Sequence, residues 1–210
     1  EERRYNAVIH WQQSRHGFTP RKEDIFWVPS VMGAIGWLLQ ELTEPGDSIV
    51  IQPPVYNPFP SVIGANGRTV VENRLLYSEE TGWDVDLEGL EDAFRTTGAK
   101  VLLLCSPHNP VGMYFPRERL RQMVDICRRH GAYLISDETH SDFYFHGNAH
   151  TTIFQACPEA DECCVLLTST SKSFNLAGIN QAYAIIRSDK LRAALGRMAG
   201  QNGNPHNILA

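Results

Sequence analysis

Val101-Leu102-Leu103-Leu104-Cys105, followed at once by Ser106-Pro107-His108-Asn109-Pro110, is the stretch that decides the fold. An unbroken apolar run of this length, stopped by a polar, proline-bounded loop, reads as a strand buried on both faces. The pattern recurs twice. Ala132 to Ser136 leads into Asp137-Glu138-Thr139-His140, and Val165 to Thr168 leads into Ser169-Thr170-Ser171-Lys172-Ser173-Phe174-Asn175. A helix is expected over Pro116 to His130, with Pro116 near its first turn. Doubly buried strands alternating with helices predict an α/β fold, a three-layer α/β/α sandwich around a mostly parallel sheet.

The flanks continue the alternation. Glu1 to His16 reads as a helix with Tyr5, Val8, Ile9 and Gln12 on one stripe, and Ile25 to Val28 as a short strand. Ser30 caps a helix that runs to Leu42 and ends in the turn Thr43-Glu44-Pro45-Gly46-Asp47. Ser48 to Gln52 is a strand stopped by Pro53-Pro54, Tyr56 to Ala65 a helix, and Thr69 to Glu72 a strand. Asp86 caps a helix to Arg95; Ala182 to Ile186 forms the last strand and Asp189 to Ala199 the last helix. There is no internal repeat and no long linker.

Composition narrows the function classes. With 42% hydrophobic and 20% charged residues over 210, the chain is ordinary globular material, neither disordered nor low-complexity. A net charge of −5 argues against a nucleic-acid-binding face. The longest apolar candidate for a membrane span, Val31 to Leu39, is broken by Gly33 and Gly36, and no signal-peptide pattern follows Glu1-Glu2-Arg3-Arg4. The five cysteines, Cys105, Cys127, Cys157, Cys163 and Cys164, are odd in number and lack CxxC spacing. They fit neither a disulfide framework nor a zinc site and point to buried thiols in a reducing, cytoplasmic setting. His140, His146 and His150 with Asp142 invite a metal reading, but the gaps straddle Gly147 and Asn148 and share no helix face, so no metal is expected. His108 suits packing as well as catalysis.

In a sheet of this type, ligands sit beyond the carboxyl ends of the strands. Asn109, Asp137 and Lys172 follow three successive strands, 28 and 35 residues apart, about one βαβ unit each. An amide, a carboxylate and a lysine facing one crevice suit a pyridine aldehyde cofactor. The lysine can form a Schiff base, and the carboxylate can keep a pyridine nitrogen protonated.

Five motifs carry a resemblance: Val28-Pro29-Ser30-Val31, Gln52-Pro53-Pro54-Val55-Tyr56, Ser106-Pro107-His108-Asn109-Pro110-Val111-Gly112, Ser136-Asp137-Glu138-Thr139-His140-Ser141-Asp142 and Ser171-Lys172-Ser173-Phe174-Asn175-Leu176-Ala177-Gly178. In this order, across nearly the whole chain, they resemble the large domain of class I/II aminotransferase-fold enzymes that use pyridoxal 5′-phosphate. More narrowly, they resemble the cystathionine β-lyase, or carbon–sulfur lyase, branch. The resemblance implies a role for each position. Lys172 forms the Schiff base and moves the substrate α-proton, Asp137 pairs with the pyridinium nitrogen, and Tyr56 stacks on the ring; these three make the catalytic group. Asn109 bonds the phenolic oxygen. The amides of Val31 and Met32 cradle the phosphate, as the start of a helix favours, with Ser169 and Ser171 as candidate phosphate hydroxyls.

Two positions depart from the aminotransferase pattern. His140 stands beside the cofactor where a tyrosine is usual, and Asn180 stands where a phosphate-binding arginine is usual. Both are similar to the lyase branch and favour β-elimination from cystathionine or a cysteine S-conjugate, giving pyruvate, ammonia and a thiol. Transamination to a keto-acid is the alternative, and an inactive cofactor-binding domain the second. The dinucleotide (GxGxxG), P-loop (GxxxxGK[ST]) and nucleophile-elbow (GxSxG) motifs are absent. The resemblance further implies a small amino-acid substrate and a homodimer with no nucleic-acid or membrane partner. It divides the chain into a large domain over 1–199, shortened at both ends, and a connection over 200–210 toward a smaller C-terminal domain that carries the substrate-carboxylate arginine.

Overall fold

The computed structural model describes residues 2–145, 147 and 149–203. In chain order the elements are α1 (Glu2–His16), β1 (Ile25–Val28), α2 (Val31–Leu42), β2 (Ser48–Ile51), α3 (Pro58–Ala65), β3 (Thr69–Glu72), β4 (Leu76–Ser78), β5 (Gly82–Asp84), α4 (Leu87–Thr97), β6 (Val101–Cys105), α5 (Arg117–Arg129), β7 (Tyr133–Asp137), α6 (Ile153–Ala156), β8 (Cys164–Ser169), α7 (Thr170–Ser173), β9 (Ala182–Ile185) and α8 (Asp189–Asn202). Short 3₁₀ turns occupy Lys22–Asp24 and Ala177–Ile179.

Seven strands form one sheet in the order β1-β9-β8-β7-β6-β2-β3, and β4 pairs with β5 as a separate hairpin. The sheet is parallel from β3 through β8; β9 runs against both its neighbours, β8 and β1. A parallel return would need a crossover to the other end of the sheet. The segment after β8 instead folds at the same end, through α7 and a 3₁₀ turn, so Ala182 comes back opposite Ser169. The Lys172 loop is thereby held at the carboxyl edge. Because β1 opposes β9, it too ends at that edge and delivers the start of α2 there.

Period-two alternation of apolar residues builds a core on each face. Leu102 and Leu104 of β6, Leu134 of β7 and Leu166 of β8 pack with Val8, Phe94, Leu120, Met123 and Phe154 from α1, α4, α5 and α6. Val101, Leu103, Ile135, Val165 and Leu167 pack the other way, with Ile35, Leu38, Phe59, Leu191 and Leu195 from α2, α3 and α8. The expected three layers are therefore present. In α5 the buried residues Leu120, Met123, Val124 and Cys127 follow helical spacing, which is why one stripe suffices to seat it.

Some boundaries differ from expectation. Tyr56 lies before α3 because Pro58, whose missing N–H costs nothing in a first turn, opens that helix. Strand β7 extends through Asp137, and α5 starts after Pro116. The β4–β5 hairpin, α6 and α7 have no counterpart in the sequence reading; strands of three residues and helices of four are too short to show periodicity. Helix α8 continues to Asn202, past the helix end expected at Ala199, while Glu1, His146, Asn148 and residues 204–210 lie outside the described residues.

Candidate active site

A cavity of about 210 Å³ opens at the carboxyl edge, and all nine residues singled out in the sequence line it: Val31, Met32, Tyr56, Asn109, Asp137, His140, Ser169, Ser171 and Lys172. Pro29, Ser30, Cys105, Thr139, Ala177, Asn180 and Gln181 complete the wall. A wider cleft of about 610 Å³ shares Asn109 and His140 with it.

Each wall group is set by its own element. The Ser30 hydroxyl caps α2 by accepting the Gly33 amide at 3.0 Å, and Ala34 N–H makes the first helical bond, to the Ser30 carbonyl. The amides of Val31 and Met32, both cavity-lining residues, lie in the first turn, where α-helical geometry supplies no internal acceptor. A side chain at Gly33 would place its Cβ 3.0 Å from the Ser30 hydroxyl, so glycine keeps the cap close. The Asn109 loop is pinned underneath. His108 donates from Nε2 to the Gln52 carbonyl at 3.1 Å, Gly112 N–H closes on the His108 carbonyl at 2.7 Å, and Asn109 N–H meets Cys105 Sγ at 3.4 Å. Burial pushes the His108 imidazole down to about 4, so the ring is a neutral, packed strut.

Asp137 accepts the Thr139 hydroxyl at 2.6 Å and the Thr139 amide at 3.0 Å, both on Oδ1. Burial raises its carboxyl above the usual range, against the pull of those two bonds and of His140. Burial likewise holds the His140 imidazole below its ordinary range, against the pull of Asp137 and assisted by Lys172. Burial, with Asp137 nearby, pushes the Cys105 thiol up to about 12, which keeps it protonated. Tyr56 is half-buried and meets Phe59 edge-on, ring centroids 5.8 Å apart.

The two serines differ. Ser169 caps α7, accepting the Ser171 amide and donating its hydroxyl proton to the Gln181 carbonyl, both at 3.0 Å. Its proton is therefore engaged within the protein, whereas the Ser171 hydroxyl has no partner among the described residues. Asn180 sits in the cavity wall in the left-handed region, φ 51°, which Asn tolerates better than most residues.

Residues 5–203 match the family described as aminotransferase class I and II. The chain belongs to that family. Among curated relatives it is 38% identical over 194 residues to cystathionine beta-lyase PatB of Bacillus subtilis, covering 92% of this chain. It is 34% identical over 198 residues to protein MalY of Escherichia coli, covering 94%. In both cases the match takes in 50% of the relative, so the chain spans about half the length of the curated relatives it matches. Cystalysin of Treponema denticola, solved with a pyridoxal 5′-phosphate cofactor, superposes with a TM-score of 0.94 at 30% identity, over all of this chain and 53% of that one.

Within this family frame, two wall residues and one junction behind the wall escaped sequence reading. Thr139 follows Asp137 by two positions, the spacing of an Asx-type turn, and that signal could have found it. Cys105, the last residue of an apolar strand, carried no sign of facing a cavity. Behind the lysine loop, Asp142 gathers Trp11 Nε1 at 3.1 and 3.2 Å, His16 Nε2 at 3.1 Å and the Ser173 hydroxyl, tying α1 to the residue after Lys172. No spacing in the sequence predicts that junction. His150 is held elsewhere, 2.7 Å from the buried Glu138, which also accepts from Ser136 and Ile153. Among the described residues no three His, Cys, Asp or Glu side chains are grouped to hold a metal, and no helix is long and apolar enough to cross a membrane.

Proposed function

We propose that this chain is the cofactor-binding part of a pyridoxal-phosphate-dependent carbon–sulfur β-lyase acting on cystathionine or a related cysteine S-conjugate. The observation that carries the reading is the convergence of Lys172, Asp137, Asn109 and Tyr56 with the open amides of Val31 and Met32 in one cavity. The donor set fits the group. A dianionic phosphate suits a helix N-terminus with unengaged amides, and a buried carboxylate without a cation suits a protonated ring nitrogen.

In this reading Val31, Met32 and Ser171 hold the phosphate, Asp137 faces the ring nitrogen, Asn109 bonds the phenolic oxygen, Tyr56 covers the ring face, and Lys172 holds the group covalently through Nζ. Bound pyridoxal phosphate supplies an electron sink conjugated to the substrate α-carbon. With the group bound, Lys172 Nζ would serve as the base for the substrate α-proton, and the Asp137 carboxylate would hold the opposing positive charge in place. Asn180 leaves the cavity short of the cation that aminotransferases place at the phosphate, and the lyase names of the relatives at 38% and 32% identity support elimination over transamination.

The test uses the full-length protein. Reconstitution with pyridoxal phosphate should give a visible absorption band, and borohydride should fix the cofactor on Lys172. Cystathionine should then yield pyruvate and thiol with no keto-acid present. A protein that stays colourless overturns the cofactor reading, and strict dependence on a keto-acid turns the assignment to an aminotransferase.

A further inference from the structure

Four of the five thiols are held protonated or deeply buried, and one is not. Burial pushes Cys105 and Cys157 up to about 12 and Cys127 higher still. Cys163 behaves differently. It lies in the turn that enters β8, 9% exposed, with its Sγ 3.8 Å from Sγ of Cys164, the first residue of the strand. The turn is fixed by the Ala160 carbonyl, which accepts the amides of Cys163 at 3.4 Å and Cys164 at 3.1 Å. The carbonyl of Cys163 is engaged by Leu134 N–H at 2.8 Å. The two sulfurs therefore face each other from adjacent residues on an anchored backbone.

We propose that Cys163 and Cys164 form a site of reversible oxidation, at which a hydroperoxide converts the adjacent thiols to a disulfide. The pair divides the labour. The hydrogen bond from Cys164, together with the guanidinium of Arg128, holds the Cys163 thiol below its ordinary range, while the same pairing and full burial hold Cys164 well above it. Cys163 is thus the sulfur that gives up its proton more readily and Cys164 the one that keeps it, the arrangement of an attacking and a resolving thiol. The Cys163 thiolate attacks the peroxide O–O bond, forming S–OH and releasing alkoxide or hydroxide, which takes a proton from water. Cys164 Sγ then attacks the Cys163 sulfur; the S–S bond forms, and the S–OH oxygen leaves as water with the Cys164 proton. The two sulfurs lose two electrons and the peroxide gains them. The sulfurs start 3.8 Å apart; adjacent Cα atoms lie about 3.8 Å apart, below the usual disulfide span, so the eight-membered ring closes with distortion of the intervening peptide, and the strained bond is readily reduced again.

The experiment treats the full-length protein with hydrogen peroxide, alkylates the remaining thiols and maps peptides by mass. The peptide containing both residues should lose two hydrogens and escape alkylation, and dithiothreitol should reverse this. Cys164→Ser should leave Cys163 trapped as a sulfenic acid that dimedone labels, Cys163→Ser should leave Cys164 unreactive, and Cys127→Ser should change nothing. A disulfide from Cys163 to Cys127 or Cys157 overturns the proposal. So does sulfinic acid at Cys163 without a disulfide, or a pair that stays reduced at peroxide levels that oxidise the guanidinium-unfolded chain.

Discussion

In the cavity wall the Asp137 carboxyl meets one hydroxyl and one amide, both from Thr139, whereas on the α1 side of the same loop the Asp142 carboxyl gathers Trp11, His16 and Ser173. Burial alone would push both acids up. At Asp137 burial wins and the carboxyl is raised; at Asp142 the bonds from His16, Ser173 and Trp11 overcome burial and hold it low. The difference separates two uses of one residue type. Asp142 is satisfied by the protein itself and fastens elements together. Asp137 is buried with its charge incompletely matched, which is costly for folding alone and useful where a cationic group is to be bound.

The largest expected effect lies on the unsatisfied side. Asp137→Ala should lower cystathionine turnover by about 10²–10³-fold or more, the scale for removing one preorganised electrostatic group. Asp142→Asn, which keeps an acceptor, should stay within about tenfold of the parent. Steady-state kinetics on reconstituted full-length protein decides it. Equal losses in the two variants would erase the distinction.

Much of this arrangement is legible in the sequence. The runs at Val101, Ala132 and Val165 showed where strands end, and ligand chemistry at strand ends needs only order and spacing. What was hidden was tertiary. Asp142 lies inside the Ser136–Asp142 motif, yet its partners Trp11 and His16 come from a helix more than a hundred residues earlier, 131 positions away for Trp11. Ser169 and Ser171 look alike in sequence; only the antiparallel return of β9, which brings the Gln181 carbonyl alongside, engages the first, while the second hydroxyl has no partner among the described residues. The reversal of β9 was itself unreadable, because a buried strand shows the same apolar run in either direction.

The satisfied side should dominate stability. Asp142→Ala leaves the Trp11, His16 and Ser173 donors without their shared acceptor and should cost about 2–3 kcal/mol in urea unfolding. Loss below about 0.5 kcal/mol would show that water replaces the carboxylate at no penalty.

Asp137→Asn should move stability the other way, by about 1 kcal/mol in the cofactor-free protein at neutral pH, because it removes a carboxyl whose charged form burial disfavours while keeping an acceptor for Thr139. The pH dependence fixes the sign. Asp137 has a folded pKa raised above its unfolded value, so its contribution is fully present below the unfolded carboxylate pKa and lost as pH rises through the folded one. Asp142, with a lowered folded pKa, contributes above the unfolded value and loses that contribution as pH falls through the folded one. His108, buried neutral and titrating at about 4, adds its own loss on acidification, which cancels when each variant is read as a difference from the parent. The parent-minus-variant curves for Asp137→Asn and Asp142→Asn should therefore slope in opposite directions through the acid range. Parallel slopes would break the comparison.

The smallest effect concerns the donors that face the cavity from the opposite wall. Ser30→Ala removes the cap on the Gly33 amide and should cost about 1 kcal/mol, while Ser30→Gly should cost only a few tenths. Neither touches the amides of Val31 and Met32, which are backbone groups held in place by the helix that follows. Fluorescence titration with pyridoxal phosphate should then show affinity falling by only a few-fold in the alanine variant, in step with fraying of the first turn of α2 and not with loss of a ligand atom. A drop as large as that from Asp137→Ala would make the Ser30 hydroxyl itself a phosphate ligand and move the boundary between satisfied and unsatisfied groups to the other side of the cavity.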